Sequence, residues 1–153
     1  MPKFGYSIYG LDPDRTAIAS AREVDISPKA AREICNFIKD KFLDQAKDYL
    51  EEVIMKKKAI PYKRHNKHVA HRKELTGWPA GRYPVKAAKK ILEVLENAEN
   101  NAEFKGLDVD RMKIVHAASQ KGMTVKRFFP RAQGSSSPKN NYLTHIEIAI
   151  EEV

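Results

Sequence analysis

Two runs of alternating residues sit far apart near the end of this chain, and what lies between them limits the folds available. Met112, Ile114 and His116 alternate with Lys113, Val115 and Ala117. Thr144, Ile146, Ile148 and Ile150 alternate with His145, Glu147, Ala149 and Glu151. A period of two is the mark of a strand with one buried face. The runs are expected to pair antiparallel, turning near Gly134. The strands would then climb through residues 111–130 and return through 138–152. At ~3.3 Å per residue a strand of that length reaches roughly 65 Å. A compact domain of this size is only roughly 40 Å across. Ordinary strands are ~3–10 residues long. Either the segment folds back on itself, or an arm leaves the body.

Charge favours the arm. From Arg111 to Ile146 there is no acid, while Arg111, Lys113, Lys121, Lys126, Arg127, Arg131 and Lys139 all fall within the stretch. The apolar alternation fades after Ala118, so the outer part has no face to bury. An isolated two-stranded ribbon is marginal in water, so an anionic surface is expected to hold it. The bland alternative is a disordered basic loop.

Upstream the period is helical. Residues Met1 to Asp14 are punctuated by Gly5, Gly10 and Pro13 and read as irregular, and Thr16–Ile26 reads as a short strand. Ser27-Pro28 is a helix start, with a hydroxyl N-cap and proline at the first position. Ala31, Ile34, Cys35 and Ile38 follow on one face. Leu43, Ala46, Leu50 and Val53 line a second helix, which ends in Lys56-Lys57-Lys58. Pro84 opens a third, with Ala88, Ile91, Leu92, Leu95 and Ala98 inward and Gly106 at its close. The expected fold is α+β: one small domain of three helices and a three-stranded antiparallel sheet with a long protruding β-hairpin arm. Within 1–153, the body takes 12–110 and 140–153, with a basic insertion over 56–83, and the arm takes 111–139.

The insertion is a second cationic tract. Lys56 to Lys73 holds Lys56, Lys57, Lys58, Lys63, Arg64, Lys67, Arg72 and Lys73, with no acid before Glu74. Tyr62, His65, His68 and His71 are interleaved, and Trp78, Arg82 and Tyr83 follow. Cations neutralise phosphates and release counterions. Aromatic, imidazole and guanidinium planes can stack on unpaired bases. The formal net charge of +8 and pI near 9.5 suit a polyanionic partner, nucleic acid or a membrane surface.

Other chemistries fit poorly. His65, His68 and His71 could converge on an ion, but the surrounding lysines and arginines repel a cation, so neither metal nor cofactor is expected. Ser135, Ser136 and Ser137 have no base nearby in sequence. There is no glycine-rich phosphate loop. Cys35, the single cysteine, cannot pair within the chain and reads as a small core residue in a reducing compartment. Met1 to Tyr9 lacks the apolar run of a secretion signal, and no apolar stretch approaches ~18 residues. A protein neither secreted nor membrane-spanning is expected, with no small-molecule substrate.

Four segments carry a resemblance. They are Ser27-Pro28-Lys29-Ala30, Gly81-Arg82-Tyr83-Pro84, the run from Asn97 to Asp110, and Val125-Lys126-Arg127-Phe128-Phe129-Pro130-Arg131-Ala132-Gln133-Gly134. With the helices between them, the chain over about residues 12–152 resembles the universal large-subunit ribosomal protein number twenty-two in its archaeal and eukaryotic form, called number seventeen in eukaryotes. The resemblance implies a non-enzymatic, cytoplasmic ribosomal component. It implies a body on ribosomal RNA beside other ribosomal proteins, a role in subunit assembly, and a hairpin lining the nascent-peptide exit tunnel, with the nascent peptide near the tip. By position, Lys126, Arg127 and Arg131 would be arm residues near RNA and the tunnel constriction. Arg64, His65, Arg72, Trp78, Arg82 and Tyr83 would lie in the insertion that packs on RNA. With Lys63, Lys67, His68, His71, Lys121 and Lys139 added from their charge and setting, these are the expected RNA-binding residues. One departure stands out: family members often place an arginine after the tip glycine, and here Ser135-Ser136-Ser137-Pro138 follows Gly134. A free-standing RNA-binding regulator is the main alternative. Against it, neither a helix-turn-helix pattern nor the aromatic strand motif of an RNA-recognition fold is present. An RNA-processing enzyme built on the histidines is a weaker one.

Overall fold

The computed structural model describes residues 5–153. The chain runs β1 (Thr16–Val24), α1 (Pro28–Ile38), α2 (Leu43–Ile54), β2 (Ile60–Pro61), β3 (Gly81–Arg82), α3 (Val85–Phe104), β4 (Met112–Val125), β5 (Phe128–Pro130), β6 (Ser136–Pro138) and β7 (Asn141–Glu152). Residues 5–14 carry no regular element; the first four residues of the stretch expected to be irregular lie outside the described residues.

The main sheet is antiparallel with the order β1-β7-β4, so the last strand is central. Its core face is built by Ile146, Ile148 and Ile150 of β7, Met112 and Ile114 of β4, and Ala17 and Ala19 of β1, all buried. The helices cover that face. α1 packs on β4 and β7, α3 on β1 and β7, and α2 against α3. The expected stripes of α1 and α2 are buried throughout. On α3, Ala88, Ile91, Leu95 and Ala98 are buried, but Leu92 only partly; Ala87, Val94 and Ala102 complete the stripe instead. Burial at 2% exposure pushes the Cys35 thiol up to about 12, as suits an inert core group.

Two local readings are corrected. Ser27 is the N-cap of α1, but its hydroxyl makes no bond to the helix; only its carbonyl takes part, accepting from the Ala31 N–H at 3.0 Å. The alternation in β4 also breaks. Ile114 pairs with Ile150 and His116 with Ala149, so a bulge at Val115 shifts the register by one. A one-residue shift turns every later side chain to the opposite face. Hence Ala117, not His116, packs on the core.

His116 instead joins a polar cluster on the outer face. Ser7 donates to Glu147 through its N–H (2.9 Å) and its hydroxyl (2.6 Å), and that hydroxyl lies 3.2 Å from His116 Nε2. Arg22 pairs with the same carboxylate at 3.3 Å. Burial alone would raise the pKa of Glu147, but the Ser7 and Arg22 bonds outweigh it and hold the carboxyl below its ordinary value. The free edge of β4 is covered beside the body. The loop after α1 adds a short antiparallel bridge, with Asp40 N–H donating to Ile114 C=O (2.8 Å) and Ile114 N–H to Lys41 C=O (2.9 Å).

The third strand does not follow the other two outward. The last β1 pairing is Val24 with Thr144, and beyond it β4 and β7 continue alone to Val125 and Asn141. After a break at residues 126 and 127 the ribbon resumes as β5 and β6, paired from Phe128–Pro138 to Pro130–Ser136. The tip is a single 3-10 turn over Ala132–Gly134, closed by an Arg131 N–H to Ser135 C=O bond of 2.8 Å. The hairpin thus stands clear of the core.

The burial of the sheet beneath the helices predicts a graded response to truncation. Ile148→Ala, at 0% exposure on the central strand, should cost about 2–5 kcal/mol in urea unfolding. Leu92→Ala, on the half-covered flank of α3, should cost clearly less.

Candidate nucleic-acid interface

The insertion between α2 and α3 is mostly irregular, yet it is tied together from within. β2 and β3 pair as Ile60–Arg82 and Pro61–Gly81, and an isolated bridge joins His71 to Ala80. Tyr62 N–H bonds Ala80 C=O at 3.0 Å, Gly81 N–H bonds Ala70 C=O at 3.2 Å, and Arg72 N–H bonds Pro79 C=O at 2.8 Å. Gly81 sits close to its neighbours: a Cβ there would lie 2.5 Å from the Leu75 Cδ1, which would have to move aside, and 3.1 Å from the Ile60 carbonyl oxygen.

The main anchor is Glu33 of α1. Its side of the helix is opposite the apolar stripe, yet the insertion folds over it and leaves it 2% exposed. The carboxylate accepts three backbone N–H bonds, from Lys63 (3.0 Å), Arg64 (3.0 Å) and His65 (2.8 Å). A buried carboxylate so satisfied fixes the loop's path. The Trp78 indole N–H donates to the Tyr62 carbonyl at 2.8 Å. The Arg72 guanidinium donates to Gly81 C=O (3.2 Å) and lies 4.9 Å over the Tyr83 ring. The Tyr83 hydroxyl donates to Glu74 at 2.7 Å, a bond that raises the pKa of the phenol and lowers that of the carboxyl. Arg82 donates to His68 C=O (3.3 Å) and lies 5.8 Å over Tyr62, whose phenol burial pushes up to about 12.

The expected RNA-binding residues therefore divide. Arg72, Trp78 and Tyr83 spend their polar groups on the insertion's own shape. Lys63, Arg64, Lys67, His68 and His71 stand exposed on backbone that these bonds hold still; His65 is half-covered. Among the described residues no cluster of histidine, cysteine or acid is placed to hold a metal ion.

On the arm, Lys121, Lys126, Arg127, Arg131 and Lys139 are all exposed. Among the described residues the ion pairs include none of these five. Lys121 lies 4.3 Å over Tyr142 and Lys139 4.7 Å over Phe129. Phe128 and Phe129 are themselves open, at 64% and 46% exposure. Flat rings beside cations are what stacking on bases and neutralising phosphates require.

Two acids that the charge pattern did not single out join the arm to the body. Asp25, just past β1, accepts from Lys86 at the start of α3 (2.6 Å) and from Asn141 at the arm's base (2.9 Å). Both bonds lower its pKa, the Lys86 bond most. Glu23 accepts from Met123 N–H at 3.1 Å, and its carboxylate lies 3.4 Å from His145 Nε2. These bonds set the start of α3 and the arm's base side by side.

An α+β body that presents a folded basic insertion and an acid-free hairpin is a nucleic-acid-binding scaffold. The family model described as "Ribosomal protein L22p/L17e" matches residues 19–151. The large ribosomal subunit protein uL22 of Methanopyrus kandleri is 52% identical over 143 residues, covering 93% of this chain and 90% of that protein. Its namesake from Cenarchaeum symbiosum is 49% identical over 99% of each chain, and that of Nitrosopumilus maritimus 45% identical over the full length of both. The chain belongs to the L22p/L17e family of ribosomal proteins.

If Glu33 sets the insertion, Glu33→Ala should cost on the order of 3 kcal/mol, because three covered N–H groups lose their acceptor. Amide exchange at Lys63, Arg64 and His65 should accelerate before the sheet opens.

Proposed function

We propose that this chain is a structural, non-enzymatic constituent of the large ribosomal subunit, and that it binds ribosomal RNA through the insertion and the arm. The relatives are large-subunit proteins matched over almost their whole length. The observation that carries the RNA-binding surface is the arm. Beyond the third strand it carries Lys126, Arg127, Arg131 and Lys139, all exposed and in no ion pair among the described residues, and no acid. Such a ribbon gains little from its own burial and much from phosphates that release their counterions on contact. Lys121, Lys126, Arg127, Arg131 and Lys139 make the arm's contacts. Lys63, Arg64, His65, Lys67, His68, His71 and Arg82 make those of the insertion, with Arg72, Trp78 and Tyr83 shaping it.

In this reading the body docks on RNA beside neighbouring ribosomal proteins and assists assembly. The hairpin lines the peptide exit tunnel, where the tip meets the nascent chain. The tip is small and polar, with Ser135 and Ser136 exposed, so most of the basic grip belongs to the ascending side, with Lys139 on the return. Among the described residues no helix is long and apolar enough to cross a membrane. Work in the cytoplasm follows from this ribosomal role.

Replacing Lys126, Arg127, Arg131 and Lys139 together by alanine should lower the slope of log affinity for large-subunit RNA against log salt by roughly 3–4. An unchanged slope would take the arm out of the interface. Sedimentation of lysate should place the chain with the large subunit at moderate salt; a persistent free pool would favour a separate regulator.

A further inference from the structure

The arm leaves the body where the sheet loses its third strand, and both neighbours of β7 are irregular there. On one side, Ala21 to Val24 of β1 spans the same length as Ile146 to Thr144 of β7. On the other, Lys121 to Thr124 of β4 spans the same length as Thr144 to Tyr142. Each outer strand therefore carries one extra residue, and such bulges bend a strand and increase its twist. Within the β1 irregularity, Glu23 holds a left-handed backbone with φ 52°. A glutamate adopts that conformation at a cost, and it persists where surrounding contacts fix it.

The contacts here run from one residue to both other strands. The Glu23 N–H donates to His145 Nδ1 on β7 at 3.2 Å. The Glu23 carboxylate reaches over β7 to the bulge in β4, where it accepts from the Met123 N–H at 3.1 Å. It also lies 3.4 Å from His145 Nε2. Because Nδ1 is the acceptor, a neutral His145 ring carries its proton on Nε2, where it faces the carboxylate. Gly122 lies directly beneath. A Cβ there would be 3.0 Å from both Glu23 Oε2 and His145 Cε1, so the carboxylate and the ring occupy the space a side chain would need.

We propose that Glu23 is a positioning residue for the arm: with His145 and Gly122 it latches the two bulges together and fixes the direction in which the ribbon leaves the body. The outer stretch stays pliable, while its root is aimed before any partner arrives. An arm already aimed has less freedom to lose on docking. The latch therefore rests on the RNA-binding function proposed above for its consequence, but not for its geometry. It makes an acid, whose own charge repels RNA, favour RNA binding.

The test uses the full chain with Glu23→Ala and, separately, Glu23→Gly. Both remove an acid, so bulk electrostatics alone would tighten binding to large-subunit RNA. The latch predicts the reverse: both variants bind roughly threefold or more weakly at moderate salt, because the arm is no longer aimed. The slope of log affinity against log salt should not change, because no phosphate contact is lost. In the free ¹⁵N-labelled chain, residual dipolar couplings of Met123–Val125 and Asn141–Leu143 should fit the alignment frame of the β7 core, and in both variants they should shrink away from it. Glycine accepts the left-handed backbone freely, so Glu23→Gly should have a higher Tm than Glu23→Ala while losing the same alignment. Tighter binding, or couplings kept in Glu23→Ala, would overturn the latch. Recovery of alignment and affinity along with stability in Glu23→Gly would also overturn it, leaving Glu23 a stability residue only. An unaltered chain that fails to bind the RNA would overturn the function proposed above, and the couplings would still decide the latch.

Discussion

The hairpin is longer than the sheet that supports it, and the rest of the molecule is organised around that mismatch. β1 leaves the sheet at Val24, opposite Thr144, while β4 and β7 go on. As far as that point the ribbon has a third strand, a helical layer on its core face and a bridged edge. Past it the two strands keep only the Asp25 and Glu23 bonds at their base, and no further strand or helix among the described residues covers them. Backbone pairing within a lone ribbon replaces bonds to water with little net gain, and Phe128 and Phe129 remain largely open. Under the function proposed, an arm built this way gains its stability from the phosphates its cations would meet.

The body solves the opposite problem. The insertion has little regular structure, yet it is ordered by bonds within the chain: the Glu33 carboxylate beneath residues 63–65, the Trp78 indole on Tyr62, the Arg72 guanidinium against Gly81 and Tyr83. Its ordering entropy is met during folding and does not count against binding. Under the function proposed, the arm would meet that cost when it docks. The platform would then fix position, and the finger would follow the surface it finds. Asp25 and Glu23, at the finger's root, link the two.

Much of this was legible in the sequence, because burial against one sheet imposes simple periods. The stripes of α1, α2 and α3 and the alternation of Thr144 to Ile150 reported their own burial. The absence of acids along the arm marked the stretch that leaves the core. The misses share a cause. The bulge at Val115 turns His116 outward, and nothing in the local alternation marks where one extra residue enters a strand. Ser27 is the residue type of a cap, but its hydroxyl stays unbonded where the chain leaves an open cleft. Arg72, Trp78 and Tyr83, expected at the RNA interface, also hold the loop's own shape, a role that their residue types do not announce. Glu33 was invisible because its partners are backbone amides some thirty residues along the chain, and backbone amides leave no trace in composition.

The dependence of the arm on RNA is tested most directly by amide hydrogen exchange, compared between the free chain and the intact large subunit. In the free chain, residues 126–139 should exchange orders of magnitude faster than Ile146, Ile148 and Ile150. In the subunit the same arm amides should become protected while the β7 core changes little. An arm as protected as the core when free, or equally unprotected in both states, would contradict a finger that takes its stability from the RNA it lies on.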